Sequence, residues 1–184
     1  MSMNIKDVKT AIKIGDFVLR KDNRNKIGFI FSSKLDRKIL SDDSARIYLI
    51  VQGGIIKKIG GSIQKGGIKG TISFYTGAVT GSPGRPRFII HLLIEETLNS
   101  GSDVELYMIT SPKKLALVNG LFGSKKMKIA SYKEMEDLCK SDYFSKEKRY
   151  PDWNFQENHQ PYPADPEREF MAYHRKRLRM RKNN

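Results

Sequence analysis

Residues 46–59 constrain the fold more than any other stretch. Arg46 to Val51 (RIYLIV) is β-branched and aromatic, Gln52-Gly53-Gly54 can turn, and Ile55 to Ile59 (IIKKI) is a second β-rich run. Two such runs around a Gly-Gly turn predict a β-hairpin, because glycine reaches the positive φ of a tight turn without a steric cost. The register has two solutions. A three-residue loop centred on Gly53 places Tyr48 opposite Lys58, with Cβ atoms about 4.5–5.5 Å apart on one face. A two-residue Gly53-Gly54 loop pairs Tyr48 with Ile59 and sends Lys58 to the other face.

The flanking sequence supplies the rest of a small domain. Two short strand candidates, Phe17 to Leu19 and Ile27 to Phe31, surround the polar turn 21–25. A glycine-rich stretch from Gly60 to Gly70 runs into Ile72-Ser73-Phe74-Tyr75, with room for one short helix. Ser82-Pro83 predicts a helix start, since the Ser oxygen accepts an orphan N–H and Pro is tolerated at the first helical position. The helix continues from Arg85 to Leu98, and Asn99-Ser100-Gly101 stops it. Val104 to Ile109 alternates as a strand, and Ser131 to Phe144 is a helix candidate. Residues 150–163, with Pro151, Pro161 and Pro163 among several aromatics, predict a structured loop before a last helix capped by Asp165-Pro166. No fixed-period repeat occurs. The order gives one α+β domain, 1–184, with a core at 46–111, an N-terminal strand and helix addition at 1–45, and C-terminal loops and helix at 112–184.

Charge narrows the partner. Lys and Arg number 34 against 20 Asp and Glu, a formal net charge of +14. Such a chain attracts polyanions, and nucleic acid is the first expectation. Two basic concentrations stand out. One includes Lys113, Lys114, Lys125, Lys126 and Lys128; the other includes Arg175, Lys176, Arg177 and Arg179 near the C-terminus. A single cysteine, Cys139, excludes an internal disulfide and a Cys-rich zinc site, and His159 and His174 are too scattered for a zinc site. No apolar run approaches the length of a membrane span, and no apolar signal core opens the chain, so the expectation is a cytoplasmic protein. Phosphate-loop, kinase and serine-hydrolase motifs are absent.

The segment from Arg46 to Ser62 (RIYLIVQGGIIKKIGGS) resembles the core of the GIY-YIG nuclease superfamily. Ile47 and Tyr48 match its first triplet, Ile59 and Gly60 its second, with Lys58 in place of the second tyrosine, as in the small type II restriction endonucleases of that superfamily. The resemblance covers roughly Arg46 to Ile109, with a looser match in the last helix. It implies a three-stranded antiparallel sheet flanked by helices and a Mg²⁺-dependent, one-metal DNA endonuclease. It also implies double-stranded DNA as partner, and a homodimer on a palindromic site. A structure-selective nuclease and a non-enzymatic DNA-binding protein on the same fold are the alternatives.

The resemblance implies roles for individual residues. Tyr48 is the general base, with the Lys58 ammonium favouring its phenolate. Tyr75 takes the family's next aromatic position. The arginine expected four residues earlier is Thr71 here. Arg87 and His91 repeat that spacing further on, in a helical stripe with Glu95, and Lys69 and Arg85 are neighbouring cations. The metal-ligating glutamate is assigned to the last helix as Glu169, with Glu167, Glu95 and Glu96 as alternatives; one carboxylate plus waters suits Mg²⁺. Lys69, Arg85, Lys125, Lys126, Arg175 and Arg177 are the expected DNA contacts.

Overall fold

The computed structural model describes residues 2–21, 26–41, 44–63, 66–79, 81–129 and 131–182, apart from the side chains of 41, 128, 181 and 182. The predicted polar turn lies, after Lys21, outside the described residues.

Strands β1 (Ile12–Leu19), β2 (Ile27–Phe31), β3 (Ala45–Gln52), β4 (Ile55–Ser62) and β5 (Val104–Ser111) form one antiparallel sheet in the order β2-β1-β5-β3-β4. The predicted three-stranded core is therefore part of a five-stranded sheet. The extra strands come from the N-terminal segment, where β1 begins well before Phe17. It passes through Gly15 and Asp16 with a register shift between Lys13 and Gly15. A Cβ at Gly15 would lie 2.0 Å from the Ile30 carbonyl oxygen, so only glycine fits that crossing.

Helices α1 (Gly67–Thr76) and α2 (Arg85–Asn99) cover one face of the sheet. There Ile14, Phe17, Tyr48, Ile50, Leu106 and Met108 meet Ile68, Ile72 and Tyr75 of α1, and Ile89, Ile90 and Ile94 of α2. Helix α3 (Tyr132–Glu147) covers the other face, packing Tyr143 on Ile47, Leu49, Val51, Ile56 and Ile59. Strand β3 is thus buried on both sides from Ala45 to Val51, which explains its apolar run from Ile47 to Val51.

The hairpin adopts neither predicted register. Gly53 and Gly54, at φ 54° and 81°, make the two-residue turn. A β-bulge then intervenes: Val51 faces Ile56, but Ile50 faces Lys58, so Lys57 is the extra residue. Tyr48 ends opposite Gly60, which puts Lys58 on the same face as Tyr48. The spacing of the isoleucines accounts for this. Ile56 and Ile59 are an odd number of residues apart, and a regular strand would point them to opposite faces. The bulge lets both enter the α3-side core, where each is 2% exposed.

Three other expectations change. The long helix starts at Arg85, not at a Ser82 cap; Gly84 is the N-cap and makes no side-chain bond, and Pro86 occupies the first turn, where its missing N–H costs nothing. Residues 115–128, inside the stretch expected to hold the C-terminal loops, form a separate hairpin, β6 (Lys114–Gly120) and β7 (Gly123–Ile129). Helix α3 runs beyond Phe144 to Glu147 and ends at Lys148 in the left-handed conformation, φ 58°.

The loop at 150–163 is ordered as expected, and it closes an edge. Trp153 N–H donates to the carbonyl of the bulged Lys57 at 2.8 Å. Asn154 accepts from Ile59 N–H at 2.9 Å and donates to its carbonyl at 3.0 Å, as a neighbouring strand would. Helix α4 (Ala164–Lys182) follows and packs on α2. No helix among the described residues is long and apolar enough to cross a membrane.

Candidate active site

Tyr48 lies mid-strand in β3, its ring passing over Gly60. A Cβ there would fall 2.3 Å from both Cζ and Oη of Tyr48, so the glycine creates the space for the phenol. The ring meets Tyr75 of α1 edge-on, and the two hydroxyls are 2.8 Å apart. Gly60→Ala is expected to lower stability by about 1–3 kcal/mol, the usual range for overpacking, because the ring can yield only by breaking that hydroxyl contact. A urea melt checks this.

The Tyr48 hydroxyl opens on a cavity of about 180 Å³. Lys58, Gly60 and Gly61 of β4 form its floor with Tyr48. Pro86 and Ile90 of α2, Glu136 of α3, and Trp153, Phe155, Gln156, Glu157 and Tyr162 of the edge-closing loop form its walls. The Lys140 ammonium bridges the two acids, 2.7 Å from Glu136 and 2.5 Å from Glu157.

The electrostatics follow from burial. Burial pushes the Tyr48 phenol up to about 12, although the Tyr75 bond acts the other way. Burial raises Tyr75 well above its ordinary value as well. The expected phenolate is therefore absent from the free protein at neutral pH. Burial lowers Lys58, with Glu157 opposing. Burial alone would raise Glu157, but the hydrogen bond from Lys140, a backbone hydrogen bond and the charges of Lys140 and Lys58 together outweigh desolvation and lower it.

A stability prediction follows. Tyr48 keeps its proton longer folded than unfolded, so its contribution is whole below pH 10 and is lost as pH rises toward 12. Lys58 acts in the opposite sense, but only below its ordinary value of 10.5. Above that pH, the Tm of the wild type is expected to fall more steeply than that of Tyr48→Phe; parallel curves in alkaline thermal melts would contradict the shift.

Of the other expected site residues, Arg87 acts on Tyr75 through its charge. Its guanidinium lies 4.4 Å over the Phe74 ring, with Nε buried and unpartnered. Thr71 is buried with an unpartnered hydroxyl and lines a small cleft with Tyr48, Gly61, Ser62 and Phe74. His91 is 0% exposed and does not line the main cavity. Its Nδ1–H donates to the Tyr75 carbonyl at 2.7 Å, which fixes the tautomer, and burial lowers its pKa; it holds Tyr75 in place.

The metal assignment fares differently. Glu169 is exposed and lines a separate cavity of about 360 Å³ with Lys26, Glu95, Glu96 and Asp165. Glu167 pairs with Arg85. Neither lines the Tyr48 cavity. Lys69 lines another cleft, beside Arg20 and Phe31. Lys125 and Lys126 stand on β7. Arg175 donates back to the Met171 carbonyl at 3.2 Å, and Arg177 lies 5.9 Å over the Tyr173 ring.

Sequence reasoning missed Glu136, Glu157 and Lys140. Glu136 and Lys140 carry a signal, an i,i+4 pair on one helix face. Glu157 carries none, because its place depends on Trp153 and Asn154 docking on β4.

No protein-family model matches the chain, and no curated protein matches its sequence. Solved structures share its fold, two nucleases among them. The restriction endonuclease HPY188I in complex with product DNA is 15% identical, over 82% of this chain and 84% of that one, with TM-score 0.50. A mutant of bacteriophage T4 EndoII is 19% identical, over 83% of this chain and 98% of that one, with TM-score 0.53. At such identities the fold is what is shared, and the chain adopts an α+β fold found in nucleases.

Proposed function

We propose that the chain is a Mg²⁺-dependent DNA endonuclease of the GIY-YIG type, acting in the cytoplasm as a sequence-specific type II restriction enzyme. The observation that carries this is Tyr48, hydrogen-bonded to Tyr75, lining a cavity with Lys58 and two carboxylates. The two structural neighbours, a restriction endonuclease and a phage endonuclease, support the same class of reaction.

Phosphodiester hydrolysis needs a deprotonated water, cationic stabilisation of the phosphate, and a stabilised leaving oxygen. Tyr48 is the proton acceptor in this reading, and Tyr75 holds its hydroxyl in position. Lys58 lines the same cavity, and the charge of Lys140 opposes the rise that burial imposes on the phenol. Arg87 approaches from α2 and supplies the charge that Thr71 does not. His91 steadies Tyr75 through its backbone carbonyl.

The residues fit a single hard cation. Glu136 and Glu157 are oxygen donors facing a polar cavity, and the Lys140 ammonium between them marks a place where positive charge is favoured. Glu136 and Glu157 would hold Mg²⁺ there, with Lys140 swinging aside, in place of Glu169. A bound Mg²⁺ supplies Lewis-acid stabilisation of charge on the phosphate oxygens.

One observation favours a second reading. Thr71 leaves α1 without the expected arginine, and Lys140 already neutralises the acidic pair, as suits a protein that binds DNA without cutting it. Incubating the protein with plasmid DNA of mixed sequence and Mg²⁺ separates the two. Discrete fragments support a restriction enzyme, a smear or branch cutting supports a structure-selective nuclease, and a mobility shift without cutting supports the binder. A C2 dimer would match a palindromic site; sedimentation on DNA tests it.

A further inference from the structure

The β6–β7 hairpin has a tip that its own fold does not need. Gly120 pairs with Gly123, leaving Leu121 and Phe122 as the turn. Tight hairpin turns favour Asn, Asp and Gly, for their backbone freedom. Here two large apolar residues take the turn positions and the glycines flank them. Leu121 is 95% exposed and Phe122 102%. They serve neither turn geometry nor burial, and such exposed apolar groups mark a contact with another molecule.

The surroundings select the partner. No acidic residue occurs between Glu105 and Glu134. Lys114, Lys125 and Lys126 are exposed along the two strands. Two such hairpins meeting tip to tip would set lysine rows against each other, whereas a phosphate backbone neutralises them. A two-stranded ribbon fits a DNA groove, and apolar side chains on minor-groove proteins enter between base steps and unstack them. With Gly120 and Gly123 behind it, the tip is a narrow stem bearing two bulky groups.

We infer that Leu121 and Phe122 form a wedge that enters a DNA base step, with the hairpin lysines on the flanking phosphates. The wedge rests on the reading of DNA as substrate, and it bends the duplex where it enters.

The test uses the full chain in EDTA with end-labelled duplexes of about 30 base pairs, one fully paired and one with a central mismatch, which is cheaper to unstack. Energy transfer between the ends is expected to report a bend of roughly 20–90°. The wild type is expected to bind the mismatched duplex about tenfold more tightly than the paired one, since a few kcal/mol of unstacking is already spent. Leu121→Ser combined with Phe122→Ser should lose both effects while keeping the salt dependence of binding, because phosphate contacts set that slope. Both side chains are solvent-exposed, so an unchanged urea midpoint verifies that the variant folds. The wedge is overturned if the double variant keeps the bend and the mismatch preference, or if the wild type binds DNA with neither. It is also overturned if the substitutions only convert a dimer to a monomer, which assigns the tip to a second copy of the chain. A wild type that binds no DNA sinks both the wedge and the nuclease reading; one that binds and cuts without bending sinks the wedge alone.

Discussion

Tyr48→Phe is expected to bind DNA as the wild type does and to cut it about 10²- to 10⁴-fold more slowly, the usual share of a general acid–base group. The ring is the part that packs, against Tyr75 at 5.8 Å between centroids and over Gly60, and phenylalanine keeps it. The lost hydroxyl is the part that faces the cavity and meets Tyr75 at 2.8 Å. The pH dependence separates proton transfer from simple positioning. With the phenol pushed up to about 12, its basic form is scarce near neutrality. The wild-type rate is then expected to climb about tenfold per pH unit through the mildly alkaline range, and the residual activity of the Phe variant to lose that slope. Wild-type turnover in the variant, or a pH slope common to both proteins, removes Tyr48 from the role.

Glu136→Gln is the second large effect. It keeps the size of the side chain and removes the charge a hard cation requires, so cutting is expected to fall by about three orders of magnitude while DNA binding persists. The same substitution frees Lys140 from one of its two carboxylates, leaving it on Glu157. Glu157→Gln should therefore weaken cutting as well. Glu169→Gln is the matched control, because Glu169 lies in the other cavity, beside Glu95 and Glu96. Plasmid cleavage over a Mg²⁺ titration reads all three. Normal cutting by Glu136→Gln together with loss in Glu169→Gln would return the metal to the last helix.

The hairpin, α2 and β5 were legible because each is local: a Gly-Gly turn between β-branched runs, a helix ended by Asn99-Ser100-Gly101, an alternating strand. Tyr48 and Lys58 were legible as a pair, but their shared face arises by neither of the two simple registers. The clue lay in Ile56 and Ile59, whose odd spacing satisfies one core only through a bulge. The β6–β7 hairpin was hidden because its turn carries Leu121-Phe122 instead of turn-forming residues. The acidic wall was hidden for another reason. Glu157 reaches the cavity through hydrogen bonds from Trp153 and Asn154 to a strand 95 or so residues earlier, and nothing local announces such a contact.

That long-range clasp bears on synthesis as well as on the finished molecule. While the chain emerges from the ribosome, β3 and β4 are complete long before Trp153 and Asn154 exist. Until they arrive, β4 shows bare N–H and C=O groups, a template for unwanted strand pairing. The pocket beside Tyr48 also lacks Trp153, Phe155, Glu157 and Tyr162. On the proposed reading, a chain stopped before Trp153 would expose the β4 edge and lack part of the pocket, sticky before it could be active. An enzyme that attacked DNA would then be harmless to the cell building it until residues 153–162 had been translated.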